Sequence, residues 1–240
     1  MEDIGGCRLC SSAQLVQVLD LGEQSLTGVF PRPDEVDPPV GPLKLMWCGE
    51  CSLVQLSTTY PQEQMYGTNY GYRSGLNDSM VRHLSHIARL VEKWVGAVTS
   101  PLFLDIGSND GTLLSQVAAP GALKVGMDPT ATKFIEHYRD DVLAIPEFFD
   151  AGLFLEQVGR KADIVTAVSM FYDLPNPVQF ASEVRDVLAD DGIVFLEQSY
   201  LPSMLRTKSY DTICHEHIEY YSLKSIEEVL RRAGLRVLEV

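Results

Sequence analysis

Two sets of residues in this chain have types and spacing suited to chemistry. One is the run "YDTICHEHIEYYS" at 210–222, where Cys214, His215, Glu216 and His217 are consecutive and Glu219, Tyr220 and Tyr221 follow. The other is a pair of C-x-x-C motifs, "CRLC" (Cys7, Cys10) and "CGEC" (Cys48, Cys51), which use four of the five cysteines. Imidazoles beside a carboxylate can exchange protons near neutral pH. Thiolates separated by two residues in a tight turn can face one metal ion.

Two such knuckles complete a tetrahedral Zn²⁺ site with Zn–S distances of about 2.3 Å. Gly49 lies inside the second knuckle and Gly6 precedes the first, as such turns need. A redox pair would call for one motif beside a βαβ unit, whereas these two flank a loop, "PRPDEVDPPVGP", with five prolines. An iron–sulfur cluster uses the same ligands, but the reading adopted is structural zinc on Cys7, Cys10, Cys48 and Cys51. Such a site is closed and stabilises the fold.

The 210–222 run resists the metal readings. "HEHIE" has Glu219 where H-E-x-x-H needs its second histidine. His217-Ile218-Glu219 fits H-x-E of zinc deaminases, but both C-x-x-C pairs come before it and that chemistry needs one after. Acid–base catalysis and a merely polar loop remain. If the segment is extended, His215 and His217 share one face and Glu216 the other.

The elements that must position these groups follow from the remaining pattern. The 240 residues carry a net charge of −14, which disfavours nucleic acid and anionic lipid as partners. No apolar run reaches the roughly 18 residues of a spanning helix, and "MEDIGGCRLC" has no signal-peptide pattern, so the expected location is cytoplasmic. Residues 1–57 read as a small zinc-stapled β module. Residues 58–98 hold a tyrosine-rich stretch, either a plain linker or a ligand-facing loop, and a helix near 77–95. From 99 to 240, "LFLDIG", "LKVGMD", "ADIVTAVSM", "GIVFLEQS" and "LRVLEV" read as strands separated by helices. The fold class is α/β, a Rossmann-like doubly wound parallel sheet preceded by the zinc module.

Ligands of such sheets sit at the carboxyl ends of the strands. There, "LFLDIGSNDGTLL" places Asp105, Gly107 and Gly111, without the full G-x-G-x-x-G fingerprint. Asp105 and Asp110 repel a pyrophosphate but attract a cationic amine and sulfonium, as in S-adenosylmethionine (SAM). Asp128, closing "GMDP", stands where an acid can take ribose hydroxyls.

Together, "CRLC…LDLGEQSL…CGEC", "NYGYRSGLN", "LFLDIGSNDGTLL", "EQSY" and "YDTICHEHIEYYSL" resemble the zinc-containing, SAM-dependent sugar C-methyltransferases of deoxysugar pathways. The resemblance implies a class I methyltransferase fold and a nucleotide-linked 4-keto-6-deoxysugar substrate, usually dTDP-linked. It also implies a base that removes the C-3 proton so that the enolate takes the methyl group. The family's base maps to His217 and its glutamate to Glu216. Where many members have histidine after the fourth strand, this chain has Tyr172, a candidate donor to the enolate oxygen. Where some have tyrosine before H-E-H, it has Cys214, read as a packed spectator. The cofactor-binding candidates are Tyr70, Asp105, Gly107, Ser108, Asn109, Asp128 and Ser169. The family also continues past the position of Val240 with a further domain that helps hold the nucleotide-sugar. O- or N-methylation of another acceptor, and a non-catalytic zinc and SAM-binding module, stay open.

Overall fold

A computed structural model describes residues 2–27, 31–66, 70–96 and 98–240. Parts of the sequence-read segments at 28–30, 67–69 and 97, including the middle of the tyrosine-rich stretch, lie outside the described residues.

The chain begins with β1 (Glu2–Asp3), β2 (Leu15–Ser25), β3 (Val40–Cys48), β4 (Val54–Leu56) and β5 (Thr58–Thr59), then a single helical turn, α1 (Gln62–Met65). Strands β2, β3 and β4 form an antiparallel meander with Leu15 opposite Cys48 and Trp47 opposite Val54. Leu43 and Leu45 are buried at the period-two spacing of a one-sided sheet.

Helix α2 (Asp78–Glu92) buries Leu84, Ile87, Ala88 and Val91 at helical spacing. Its N-cap is Asn77, whose side chain accepts from the Ser79 amide at 2.9 Å. There follow β6 (Leu102–Ile106), α3 (Thr112–Ser115), β7 (Leu123–Met127), α4 (Ala131–Phe134), β8 (Val142–Ile145), α5 (Ala151–Val158), β9 (Ala162–Val168), α6 (Pro177–Val187) and β10 (Leu188–Glu197). The five strands form a parallel sheet in the order β10-β9-β6-β7-β8. Its order reverses at β6, which is buried along its whole length. The core on this sheet joins Phe103, Leu113, Leu114 and Ile164 to the apolar stripe of α2. Last come α7 (Leu201–Thr207), β11 (Glu219–Tyr220) and α8 (Leu223–Arg232), the last opened by a Ser222–Ser225 capping box.

The alternation of strands and helices thus gives the doubly wound sheet expected. Several elements differ in extent. The pattern did not include β8, a short strand at the sheet edge with Leu143 47% exposed, nor α5 or α7. Helix α3 is one turn because Pro120 and Gly121 (φ 70°) follow closely. "LRVLEV" forms no strand among the described residues, since alternation without a neighbouring strand to pair leaves the backbone in irregular structure.

Contacts divide the chain into two compact units, one of Met1–Gly71, Ser169–Ser182 and Gln198–Val240, the other of Tyr72–Val168 and Glu183–Glu197. Composition had drawn contiguous segments at 1–57, 58–98 and 99–240, whereas these units interleave. The reason lies in β11, which pairs antiparallel with β4, so that the antiparallel sheet runs β11-β4-β3-β2. Ile218 and Tyr220 share its core with Leu43, Leu45 and Leu56. No helix among the described residues is long and apolar enough to cross a membrane.

Candidate functional site

In the parallel-sheet unit, the loop after β6 lies at the switch point where such sheets bind ligands. It turns through three residues with positive φ, Gly107 (73°), Asn109 (52°) and Gly111 (72°). Asp128 follows β7, and its Oδ2 accepts from the Asn109 amide at 2.8 Å. Its Oδ1 accepts from both the amide and the hydroxyl of Thr130 at 2.6 Å. Three of about four carboxylate lone-pair sites are thereby used, and one on Oδ2 remains to take a ligand hydroxyl. The Tyr138 hydroxyl donates to the Asn109 carbonyl at 2.9 Å. Its one proton being committed, Ser108 must be the donor in their 2.8 Å contact.

Asp105 is only 4% exposed and accepts from the Thr166 hydroxyl at 2.6 Å. Burial pushes its carboxyl up to about 7, with the Thr166 bond pulling down and Asp128 pushing up. Asp105 is therefore poised between neutral acid and carboxylate at neutral pH. Asp110 faces Arg73 at 3.5 Å.

The sequence reading missed what holds this loop. Tyr72, Ser74 and Gly75 grip it through backbone groups. The Ser74 amide donates to Asn109 Oδ1 at 2.8 Å, Asn109 Nδ2 donates to the Tyr72 carbonyl at 3.1 Å, and the Gly75 amide donates to Asp110 at 2.9 Å. A Cβ on Gly75 would lie 2.7 Å from that carboxylate, which would have to shift to admit a side chain. The signal was "YRSG", quoted within "NYGYRSGLN" without any role in holding this loop.

The acid–base candidates belong to the other unit. His217 Nδ1 lies 3.0 Å from the Thr212 carbonyl, which can only accept, so Nδ1 carries the proton. The lone pair of the neutral ring is then on Nε2. Burial lowers the His217 pKa, the Thr212 carbonyl partly opposing it, and the neutral ring is favoured. The Tyr172 ring meets the His217 ring edge-on at 4.3 Å. Burial, then the neighbouring Asp173 carboxyl, raises the Tyr172 phenol, which keeps its proton. Glu216 is raised by burial. Asp173, which the sequence reading passed over, is held well above the carboxylate range by burial, with the Tyr66 hydroxyl pulling the other way. Burial pushes the Cys214 thiol up to about 11, which keeps it protonated and unreactive at neutral pH.

His215 does not join His217. The chain bends at residues 214–216, so strand-like alternation fails there. His215 is 1% exposed, packs edge-on against Tyr60 at 4.9 Å, and its Nε2 lies 3.3 Å from the Gly41 carbonyl. It is a packed core histidine. Tyr70 (5.4 Å from the Tyr66 ring) and Ser169 (φ 56°) fall in the unit that carries His217, apart from the other cofactor-binding candidates.

The four knuckle cysteines converge in that same unit. Their sulfurs all lie within 4.8 Å of one another, with Cys7–Cys51 at 3.4 Å and Cys10–Cys48 at 3.5 Å. A disulfide requires about 2.05 Å, whereas a tetrahedral zinc with bonds of about 2.3 Å separates its sulfurs by about 3.8 Å. The donor set fits the metal.

Residues 7–66 match a family described as "Putative zinc binding domain", and residues 81–240 match one described as "Methyltransferase domain". The C-methyltransferase NovU of Streptomyces niveus is 29% identical over 241 residues, covering 99% of this chain and 57% of NovU. The chain thus spans little more than half of that relative's length. Among solved structures, an O-methyltransferase family protein from Burkholderia thailandensis superposes with TM-score 0.55 and 22% identity, over 75% of this chain and 59% of that one. The mitomycin 7-O-methyltransferase MmcR gives 0.52 and 17%, over 68% and 50%. At these identities the likeness is one of fold.

Proposed function

Since residues 81–240 match the methyltransferase-domain family, to which this chain therefore belongs, we propose that it is a SAM-dependent C-methyltransferase. Its substrate is a nucleotide-linked 4-keto-6-deoxysugar, with dTDP as the nucleotide and C-3 as the methylated carbon. The observation that carries the reading is the His217 imidazole, whose proton is fixed on Nδ1 by Thr212 and whose Nε2 is left as a base. The similarity to a C-methyltransferase supports it.

When bound, SAM supplies an electrophilic methyl group. Asp128 would hold a ribose hydroxyl, with Gly107, Ser108 and Asn109 forming the cradle beside it and Asp105 offering charge. Tyr70 and Ser169 are proposed to complete that set. A proton alpha to a ketone is far too weakly acidic to leave at pH 7 unaided. Nε2 of His217 takes it, the Thr212 carbonyl stabilises the imidazolium through Nδ1–H, and Tyr172 donates to the oxygen on which charge develops. Glu216, raised by burial, holds or returns a proton beside them. Cys7, Cys10, Cys48 and Cys51 would hold a structural zinc, which fixes the antiparallel sheet.

The test uses SAM labelled with ¹³C in its methyl group and dTDP-4-keto-6-deoxyglucose. A new methyl resonance on carbon is expected, and it should vanish in His217→Asn. A methoxy resonance would show O-methylation instead. SAM binding without any transfer would point to a non-catalytic module, and either outcome overturns the proposal.

A further inference from the structure

We propose that Arg8, inside the first cysteine knuckle, is a positioning residue for His217. This rests on the reading of His217 as the base and of the knuckles as a zinc site. Arg8 lies between Cys7 and Cys10, and its side chain reaches residues of β4 and β5. Its guanidinium donates to the Leu56 carbonyl at 2.8 Å, the Thr58 carbonyl at 3.3 Å and the Thr59 hydroxyl at 2.8 Å. Its backbone amide donates to Gln55 Oε1 at 3.0 Å, with Nη1 at 3.4 Å from the same oxygen. Every one of these contacts falls on or directly after the strand that pairs with β11.

The pairing is tight where it matters. Glu219 stands opposite Gln55 and Tyr220 opposite Val54, and the Leu56 amide donates to the Ile218 carbonyl at 2.8 Å. On its other edge the Ile218 amide donates to the Tyr172 carbonyl at 3.0 Å. The residue after His217 is thus held between β4, which Arg8 anchors, and the residue whose ring meets the imidazole. The Glu219 side chain, 1% exposed, accepts from the Tyr221 hydroxyl. The Arg8 charge acts on the Glu219 carboxyl from within the same buried region. A planar fork that satisfies two carbonyls and a hydroxyl at once does what a lysine point charge cannot. Knuckle, β4 and His217 are therefore one mechanical unit, and the knuckle sets where Nε2 points.

The experiment compares Arg8→Lys with the wild-type chain. Four quantities are measured: zinc per chain, SAM affinity, kcat and KM for dTDP-4-keto-6-deoxyglucose, and the ¹⁵N spectrum of the His217 imidazole. The expected result is full zinc occupancy and unchanged SAM affinity, with kcat lowered by about 100-fold, the order for a displacement of about 1 Å. KM should move far less, and the imidazole should change from one Nδ1–H tautomer to a mixture. If Arg8→Lys does not fold, Arg8→Met combined with Glu219→Gln removes the guanidinium together with the buried carboxyl it acts on and is read in the same way. An unchanged kcat with a single tautomer overturns the proposal. So does a loss of activity that only follows a loss of zinc, because Arg8 is then part of metal retention alone. If the wild type methylates no keto sugar, the proposed function fails, while the zinc and ¹⁵N measurements still decide the role of Arg8.

Discussion

Replacing Asp105 with asparagine should stabilise this protein increasingly as pH rises. The carboxyl is buried on β6 beside Thr166 of β9, with a pKa moved from 3.8 to about 7. A folded-state pKa raised in this way means that the fold retains the proton more tightly than the unfolded chain. The stability this gives is fully present below pH 3.8 and is lost as pH climbs through about 7. With these values, linkage makes the wild type less stable than a neutral acid by about 2 kcal/mol at pH 5 and about 4 kcal/mol at pH 8. The gap between Asp105→Asn and wild type should therefore widen by about 2–3 kcal/mol between those pH values. The amide oxygen still accepts from Thr166, and any cost of burying its NH₂ group is the same at both pH values and cancels. Urea unfolding at pH 5 and pH 8, extrapolated linearly, reads the difference directly. A gap that stays constant to within about 0.5 kcal/mol would refute the reasoning, because Asp105 would then ionise as easily in the fold as out of it. In the proposed function the same linkage should strengthen SAM binding as pH rises through 7, a dependence the asparagine variant would lack.

His217→Gln should lower kcat for methyl transfer at least about 100-fold, as expected for loss of a general base, while calorimetry finds SAM affinity unchanged. Metal analysis should give one zinc per chain. Cys48→Ser should lower zinc occupancy and broaden the emission of Trp47, the neighbouring residue in β3. Gly111→Ala should destabilise the fold by about 2–3 kcal/mol in urea unfolding. Gly111 has φ 72°, and an added Cβ would lie 2.9 Å from the Tyr138 ring.

Local pattern carried much of this protein. Two C-x-x-C pairs placed the four sulfurs, because ligand spacing within a knuckle is a property of a few adjacent residues. The alternation of buried strands and amphipathic helices gave the parallel sheet, and the acids closing β6 and β7 gave Asp105 and Asp128. The burial stripe of α2 and its Asn77 cap are likewise visible as spacing. Elements whose existence depends on a distant partner were not visible. The edge strand β8 is too short to announce itself, and "LRVLEV" alternates like a strand yet pairs with none among the described residues.

The run "CHEH" shows the division most sharply. The sequence alone set aside the H-E-x-x-H and zinc-deaminase patterns for it and showed that it held proton-exchanging groups, since both follow from residue type and spacing. Only the tertiary structure decided that His215 packs against Tyr60, that Thr212 fixes the proton of His217, and that Tyr172 stands against its ring. It also decided that this run feeds β11 into the sheet of the cysteine module. Strand pairing and burial join residues far apart along the chain, and a pKa follows from what surrounds a group. Neither is written in the neighbouring letters.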